Sequence, residues 1–292
     1  MSQDELKYWV GVAGFAGMGI KRFTLLKKYF GSVEAIWQAS TGKLISLGIK
    51  PEMAKSWQVW REGRDLDREI ERLGKELIKV ITIEDSRYPK LLKEIDLPPF
   101  ILFVKGKVNV LNRRAVAVVG TRKVSSYGRR VTGGLVSGLV KEKLVVVSGL
   151  ARGVDSLAHR ATLAARGVTV AVLGHGLDRV YPPENRPLAE EIVRSGGAIV
   201  SEYPLGYGIQ KGNFPARNRI VAGLSLGVVV TEGAHRSGTK ITAGFAADFG
   251  REVFAVPGPV GSPTSVGPAD LIKQGAKLVT GVEDVLEELP RG

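Results

Sequence analysis

Ala115–Arg130, AVAVVGTRKVSSYGRR, is the stretch whose reading decides the fold. A short run of Ala and Val ends at Gly120-Thr121-Arg122, and a polar, Gly-containing segment leads on into a helix. A fully apolar strand belongs in a parallel sheet covered by helices on both faces. Parallel strands need crossover connections, so the chain leaves the strand's carboxyl end through a tight turn. Open α/β sheets place their ligands at such turns. This one offers backbone N–H groups, the Thr121 hydroxyl and the Arg122 guanidinium to an anion such as phosphate. The same residues also fit a plain strand-to-helix turn with an incidental Arg, so the turn alone leaves both readings open.

Outward from this stretch the βα rhythm continues. Strands are predicted at Ala115–Val119, Leu144–Ser148, Val168–Leu173, Ala198–Ser201, Gly227–Thr231 and Glu252–Val256, with helical segments between them. Two earlier strands, in ELIKVITIEDSRYP and DLPPFILFVKG, flank this sheet. Residues 1–75 show Leu, Ile, Phe and Trp at helical spacing and form a small helical domain, with residues 76–292 as the α/β domain. A charged helix, Arg61–Leu73, links the two. Gly14–Lys21, ahead of RFTLLKKYF, resembles a helix-hairpin-helix turn, and Leu44–Lys50 is a weaker echo of it. A small bundle that uses Gly for tight turns accounts for the same residues.

The chemistry-bearing residues cluster where the strands end. Ser148-Gly149-Leu150-Ala151-Arg152-Gly153 follows the second main strand and leads into a helix. Ser237-Gly238-Thr239, after His235 and Arg236, starts another helix and makes a second anion nest. The densest segment is Lys211-Gly212-Asn213-Phe214-Pro215-Ala216-Arg217-Asn218-Arg219. Its cations suit phosphates and Phe214 suits stacking on an unpaired base; the alternative puts Phe214 in the core and the arginines in salt bridges. Phe-Pro as an extended entry, with cations following one turn, favours the nucleic-acid reading. Catalytic candidates are thin: His159, His175 and His235 lack zinc-type spacing, and Asp155, Asp178 and Glu232 are as well explained by Arg pairing or helix capping.

Composition bounds the partner. The 292 residues carry 42 Lys and Arg against 29 Asp and Glu, a net charge of +13. Residues 81–150 hold 13 basic and 5 acidic side chains, whereas 251–292 hold 4 and 6, so the excess is clustered. An anionic partner follows, nucleic acid first. The absence of Cys excludes disulfides and thiol catalysis. There is no signal-peptide pattern and no apolar run of roughly 20 residues, so a cytoplasmic protein without a membrane span is expected. Neither G-x-x-x-x-G-K-[ST] nor G-x-G-x-x-G occurs, which leaves ATP and NAD without a binding fingerprint.

Taken together the segments resemble the DprA (Smf) family of DNA-processing proteins. The resemblance is carried by Val119-Gly-Thr-Arg122, Ser148-Gly-Leu-Ala-Arg-Gly-Val-Asp155, Ala171-Val-Leu-Gly174, Ile199-Val-Ser-Glu202 and Phe214-Pro-Ala-Arg-Asn-Arg-Ile-Val-Ala-Gly-Leu-Ser225. Ser237-Gly-Thr-Lys-Ile-Thr-Ala243, Val256-Pro-Gly258 and Gly267-Pro-Ala-Asp-Leu-Ile272 continue it. It implies an extended Rossmann-like parallel sheet behind a small all-α domain of helix-hairpin-helix (SAM-like) type, acting without a cofactor and without enzymatic activity. It implies binding of single-stranded DNA, its protection, and loading of RecA recombinase during natural transformation, by a homodimer formed through the Rossmann domain. The strand would meet Gly120-Thr121-Arg122, Ser148-Gly149 with Arg152, Arg217-Asn218-Arg219, the pocket of Lys211 and Phe214, and the Ser237-Gly238-Thr239 nest.

The sequence departs from the family pattern at Thr231-Glu232-Gly233, where V-E-A is usual, and at Gly-Thr-Lys240, where Gly-Ser-Leu is commoner. Many members continue into a winged-helix-like module, whose role is unassigned for a sequence that stops soon after Leu289. The alternative is a Rossmann-type nucleoside-monophosphate phosphoribohydrolase, whose P-G-G-x-G-T-x-x-E signature is missing. A third reading has residues 1–75 bind duplex DNA.

Overall fold

A computed structural model describes residues 3–235 and 237–290; Arg236, just before the second anion nest, lies outside the described residues. The strands are β1 (Ile78–Thr82), β2 (Ile101–Gly106), β3 (Ala115–Val119), β4 (Val145–Ser148), β5 (Thr169–Leu173), β6 (Ala198–Ser201), β7 (Gly227–Val230), β8 (Glu252–Ala255) and β9 (Lys277–Leu278). They form one sheet in the order β1-β2-β6-β5-β4-β3-β7-β8-β9. The strands from β3 to β9 run parallel, and β2 runs antiparallel to both β1 and β6. Each main strand read from the sequence lies within one residue of its observed limits. The two-residue β9 is too short to leave a periodic signal.

Helices α1 (Gln3–Gly14), α2 (Ile20–Phe30), α3 (Val33–Gln38), α4 (Thr41–Ser46), α5 (Pro51–Glu62) and α6 (Leu66–Lys75) precede the sheet. Arg61–Leu73 is therefore not one helix. Asp65 breaks it by accepting the Arg68 N–H at 3.0 Å, which caps a new helix. Later helices are α7 (Lys90–Lys93), α8 (Ser126–Lys141), α9 (Val154–Ala164), α10 (Arg186–Arg194), α11 (Asn213–Gly223), α12 (Gly238–Asp248), α13 (Val266–Lys273) and α14 (Val282–Glu288).

Alternation along the central strands divides the core. Ala117, Val119, Val145, Val147, Val228 and Val230 pack against Ile220 and Val221 of α11 and Ala243 and Ala246 of α12. Val116, Val118, Val146 and Val229 face the other way, onto Leu135 and Leu139 of α8 and Val154 and Ala158 of α9. The first helices share a core with the antiparallel edge: Phe23 stacks on Phe100 with ring centroids 4.2 Å apart, and Trp9 lies 5.0 Å from Phe23. Removing one such buried ring costs about 3–5 kcal/mol. No helix among the described residues is long and apolar enough to cross a membrane.

Candidate nucleic-acid interface

The strand order reverses at β3, which has β4 on one side and β7 on the other. The chain leaves β3 for α8 on one face and leaves β7 for α12 on the opposite face. Such a divergence opens a crevice at the carboxyl edge, where parallel sheets bind ligands.

Glycine makes the turn after β3 possible. A Cβ on Gly120 would sit 2.4 Å from Val154, and one on Gly153 would sit 2.1 Å from the Thr121 carbonyl oxygen. Gly153 also holds φ at +81°, a conformation disfavoured by side chains. The Thr121 N–H donates to the Glu232 carbonyl at 2.8 Å, and the Val154 N–H donates to the Thr121 carbonyl at 3.1 Å. The Thr121 hydroxyl accepts the Lys123 N–H at 3.2 Å. The Thr121 amide is thus committed inside the protein, while the Arg122 side chain is exposed and has no hydrogen-bond or ion-pair partner among the described residues.

Glu232 is a brace rather than a poised acid. Its buried carboxylate accepts the Ser125 N–H at 2.9 Å, the Ser125 hydroxyl at 2.6 Å and the Thr264 hydroxyl at 2.9 Å. Ser125 in turn caps α8 by accepting the Gly128 N–H at 3.0 Å.

The turn after β4 is directed inward. The Ser148 hydroxyl donates to the Val118 carbonyl at 2.7 Å. The Arg217 guanidinium, 5% exposed, donates to the Gly149 carbonyl at 2.5 Å and to the Val172 carbonyl. A Cβ on Gly149 would fall 2.2 Å from that guanidinium, so Gly here is a requirement of packing. Burial pulls the Arg217 pKa down, with Asp155 opposing and Arg122 adding like charge. Burial pushes the Asp155 carboxyl up, against Arg217 and the amides of Ala151 and Gly149.

The start of α11 sits on the turn after β5, where Gly174 admits the Asn213 carbonyl to within 3.1 Å of where a Cβ would be. Phe214-Pro215 is helical, not the extended entry expected from the sequence. Proline in the first helical turn forfeits only an N–H that has no partner in the helix. Phe214 is half-buried, tilted at 45° against the exposed Tyr181 with centroids 6.0 Å apart. Lys211, three residues earlier and ahead of the helix, is exposed and has no partner among the described residues.

The other predicted residues are engaged. Arg219 donates to both oxygens of Glu202 at 2.7 and 2.6 Å and to the Leu97 carbonyl at 2.9 Å. Burial disfavours its charge, but Glu202 outweighs that and holds its pKa above the ordinary value. Asn218 donates to the Gly238 carbonyl at 3.3 Å, and the Ser237 and Thr239 hydroxyls bond to each other. Arg152 pairs with Glu184 at 2.5 Å on the surface. Of Lys211, Arg217 and Arg219, only Lys211 presents a free charge to solvent. The histidines are dispersed: His175 faces the Gly176 carbonyl at 3.0 Å, His235 faces Asp270 at 2.7 Å, and His159 is buried with its pKa pushed down to about 3 by that burial.

The sequence reading missed Tyr181 as the partner of Phe214 and Glu202 as the partner of Arg219. Tyr181 stands before Pro182-Pro183, a loop signal that was available. Nothing in the spacing of Glu202 and Arg219 points to their meeting.

Residues 79–290 match the family described as DNA recombination-mediator protein A. The chain belongs to this family. It is 48% identical over 210 residues to protein Smf of Escherichia coli, an alignment covering 71% of this chain and 56% of that protein. With DNA processing protein DprA of Bacillus subtilis it shares 44% identity over 214 residues, covering 73% and 72% of the two chains. The chain therefore spans little more than half the length of the first of these relatives. The X-ray structure of DprA from Streptococcus pneumoniae superposes with a TM-score of 0.84 at 36% identity, over 98% of this chain and 99% of that one. DNA processing protein A of Helicobacter pylori, described for its single-stranded DNA binding mode, gives 0.65 at 30% identity over 73% and 98%. The family match contains every turn of the carboxyl edge, from β3 to the loop after β8.

Proposed function

We propose that this chain binds single-stranded DNA along the carboxyl edge of its parallel sheet, shields it and delivers it to RecA recombinase. The observation that carries the reading is the pairing of unpartnered cations with an aromatic ring at one edge. Arg122 and Lys211, unpartnered among the described residues, are available to phosphates, and Phe214 with Tyr181 offers a face to a base. Stacking favours an unpaired strand, because duplex bases already stack on each other. The single-strand binding of the Helicobacter relative supports the same choice.

Direct contacts are assigned to Arg122, Lys211 and Phe214, flanked by Gly120, the Thr121 hydroxyl, Asn218 and the Ser237-Gly238-Thr239 helix start. Arg217, Arg219, Ser148 and Gly149 shape the edge from beneath, and Arg152 reaches phosphate by exchanging Glu184. The family resemblance supplies the remaining parts of the proposal: RecA loading, a homodimer through residues 76–292, residues 1–75 as the helical N-terminal domain, a cytoplasmic setting and a non-enzymatic role.

The test is fluorescence anisotropy with a labelled oligo-dT strand and a matching duplex across a salt series. Tight single-strand binding that weakens in Arg122→Ala and Lys211→Ala is expected, each substitution lowering the salt slope by about 0.7. Equal affinity for strand and duplex would reduce the interface to a basic surface, and no binding at low salt would refute the proposal.

A further inference from the structure

A second cleft, of about 540 Å³, opens between α1, α5, α6 and the loop that follows β6. That volume falls within the roughly 300–1,000 Å³ typical of ligand sites. Its walls include the rings of Phe15, Trp60 and Tyr207, and its floor and rim include Arg64 and Arg72. The Arg64 guanidinium lies 3.5 Å over the Trp60 ring and bonds Glu69 at 3.1 Å, which satisfies the one carboxylate lining the cleft. The guanidinium of Arg72 has no hydrogen bond or ion pair among the described residues, and neither does that of neighbouring Arg68. The site therefore combines aromatic rings with two guanidinia against the single carboxylate of Glu69, a net positive charge suited to a nucleobase joined to a phosphate.

The cleft also adjoins the carboxyl edge. Its wall loop is fastened to the turn after β5: the Gly176 N–H donates to the Tyr207 carbonyl at 3.1 Å and the Gly206 N–H donates to Asp178 at 2.9 Å. We infer that this cleft is a second nucleotide subsite for the same DNA strand, taking a base against Trp60 and Tyr207 and a phosphate at Arg72. The inference rests on the single-strand reading above and commits to a strand that continues past the edge rather than to a free nucleotide.

Trp60 reports on it directly. The protein has four tryptophans, and Trp9, Trp37 and Trp57 are buried, leaving Trp60 as the one in the cleft. The full chain is titrated with labelled dT strands of graded length, following strand anisotropy and protein tryptophan emission together. Short strands should bind without quenching, and longer ones should quench. Trp60→Phe should abolish the quenching, and Arg72→Ala should weaken long strands several-fold while leaving short strands at wild-type affinity. Lys211→Ala should weaken both lengths.

Quenching retained in Trp60→Phe would overturn the inference, as would wild-type affinity of Arg72→Ala for every length. Equal quenching by thymidine monophosphate would make the cleft a free-nucleotide pocket and overturn it too. In each of these cases edge binding of the short strand survives. Loss of anisotropy for all strands in the wild type would instead refute the DNA reading itself, and the subsite with it.

Discussion

His159 offers a test of the interior beneath the interface. It is fully buried on α9, and its Nδ1 lies 2.7 Å from the Thr169 hydroxyl, which lies 2.6 Å from the Val146 carbonyl. Thr169 has one proton and spends it on that carbonyl, so it accepts from Nδ1–H. The lone pair is then on Nε2, which has no partner among the described residues. A proton added there would place a charge in the interior with no acceptor, and burial accordingly pushes the pKa down to about 3.

The unfolded chain binds this proton near pH 6.5, as free histidine does. Between pH 6.5 and 3 the unfolded state is protonated and the folded state is not, so stability falls as pH falls. At about 1.4 kcal/mol per unit, lowering the pH from 7 to 5 costs about 2 kcal/mol, a large share of a typical stability of 5–15 kcal/mol. Urea unfolding of the wild type and His159→Gln at pH 7, 6 and 5 isolates this contribution, because the carboxylates titrate alike in both. The wild type should lose about 2 kcal/mol more than the variant over that range. Parallel pH dependences, or an imidazole NMR titration with its midpoint above 6, would refute the tautomer and burial argument.

Phe214→Ala should cost single-strand affinity about 1–3 kcal/mol with the salt slope unchanged, since stacking releases no counterions; anisotropy over a salt series reads both. Arg219→Ala leaves the half-buried Glu202 without its ion-pair partner, and should lower stability by about 3 kcal/mol in urea unfolding, with Glu202→Gln in the same chain recovering part of the loss. Gly153→Ala should destabilise by at least about 2 kcal/mol, because it adds a Cβ at positive φ against the Thr121 carbonyl; a melting temperature within a degree of wild type would contradict this.

The parallel strands were legible because Ala and Val runs ending in Gly leave little else for them to be. The glycines of the edge were legible too, although for a different reason from the one found. Gly149 accommodates the Arg217 guanidinium and Gly120 accommodates Val154, so both serve packing before they serve any ligand. What spacing could not disclose was direction. Arg217 and Lys211 look alike in sequence, yet one is a buried hub on α11 and the other, six residues earlier and ahead of the helix, is an exposed cation. Partners far apart in the chain were equally hidden. Arg219 meets Glu202 and Leu97, and Trp60 lines a cleft with a loop some 145 residues later, and no local period encodes such meetings.

Glu232 bears on how the protein is made as well as on how it holds together. The turn of residues 121–125 is fastened by the backbone and side chain of Glu232, and that side chain is fastened by Thr264. During synthesis the β3 strand and its turn emerge more than 100 residues before the brace and nearly 140 before the residue that steadies it. A nascent chain therefore exposes Arg122 on a turn that is not yet shaped. The turn takes its braced form only once Glu232 and then Thr264 have been made, so the strand affinity proposed for Arg122 would arrive late in synthesis.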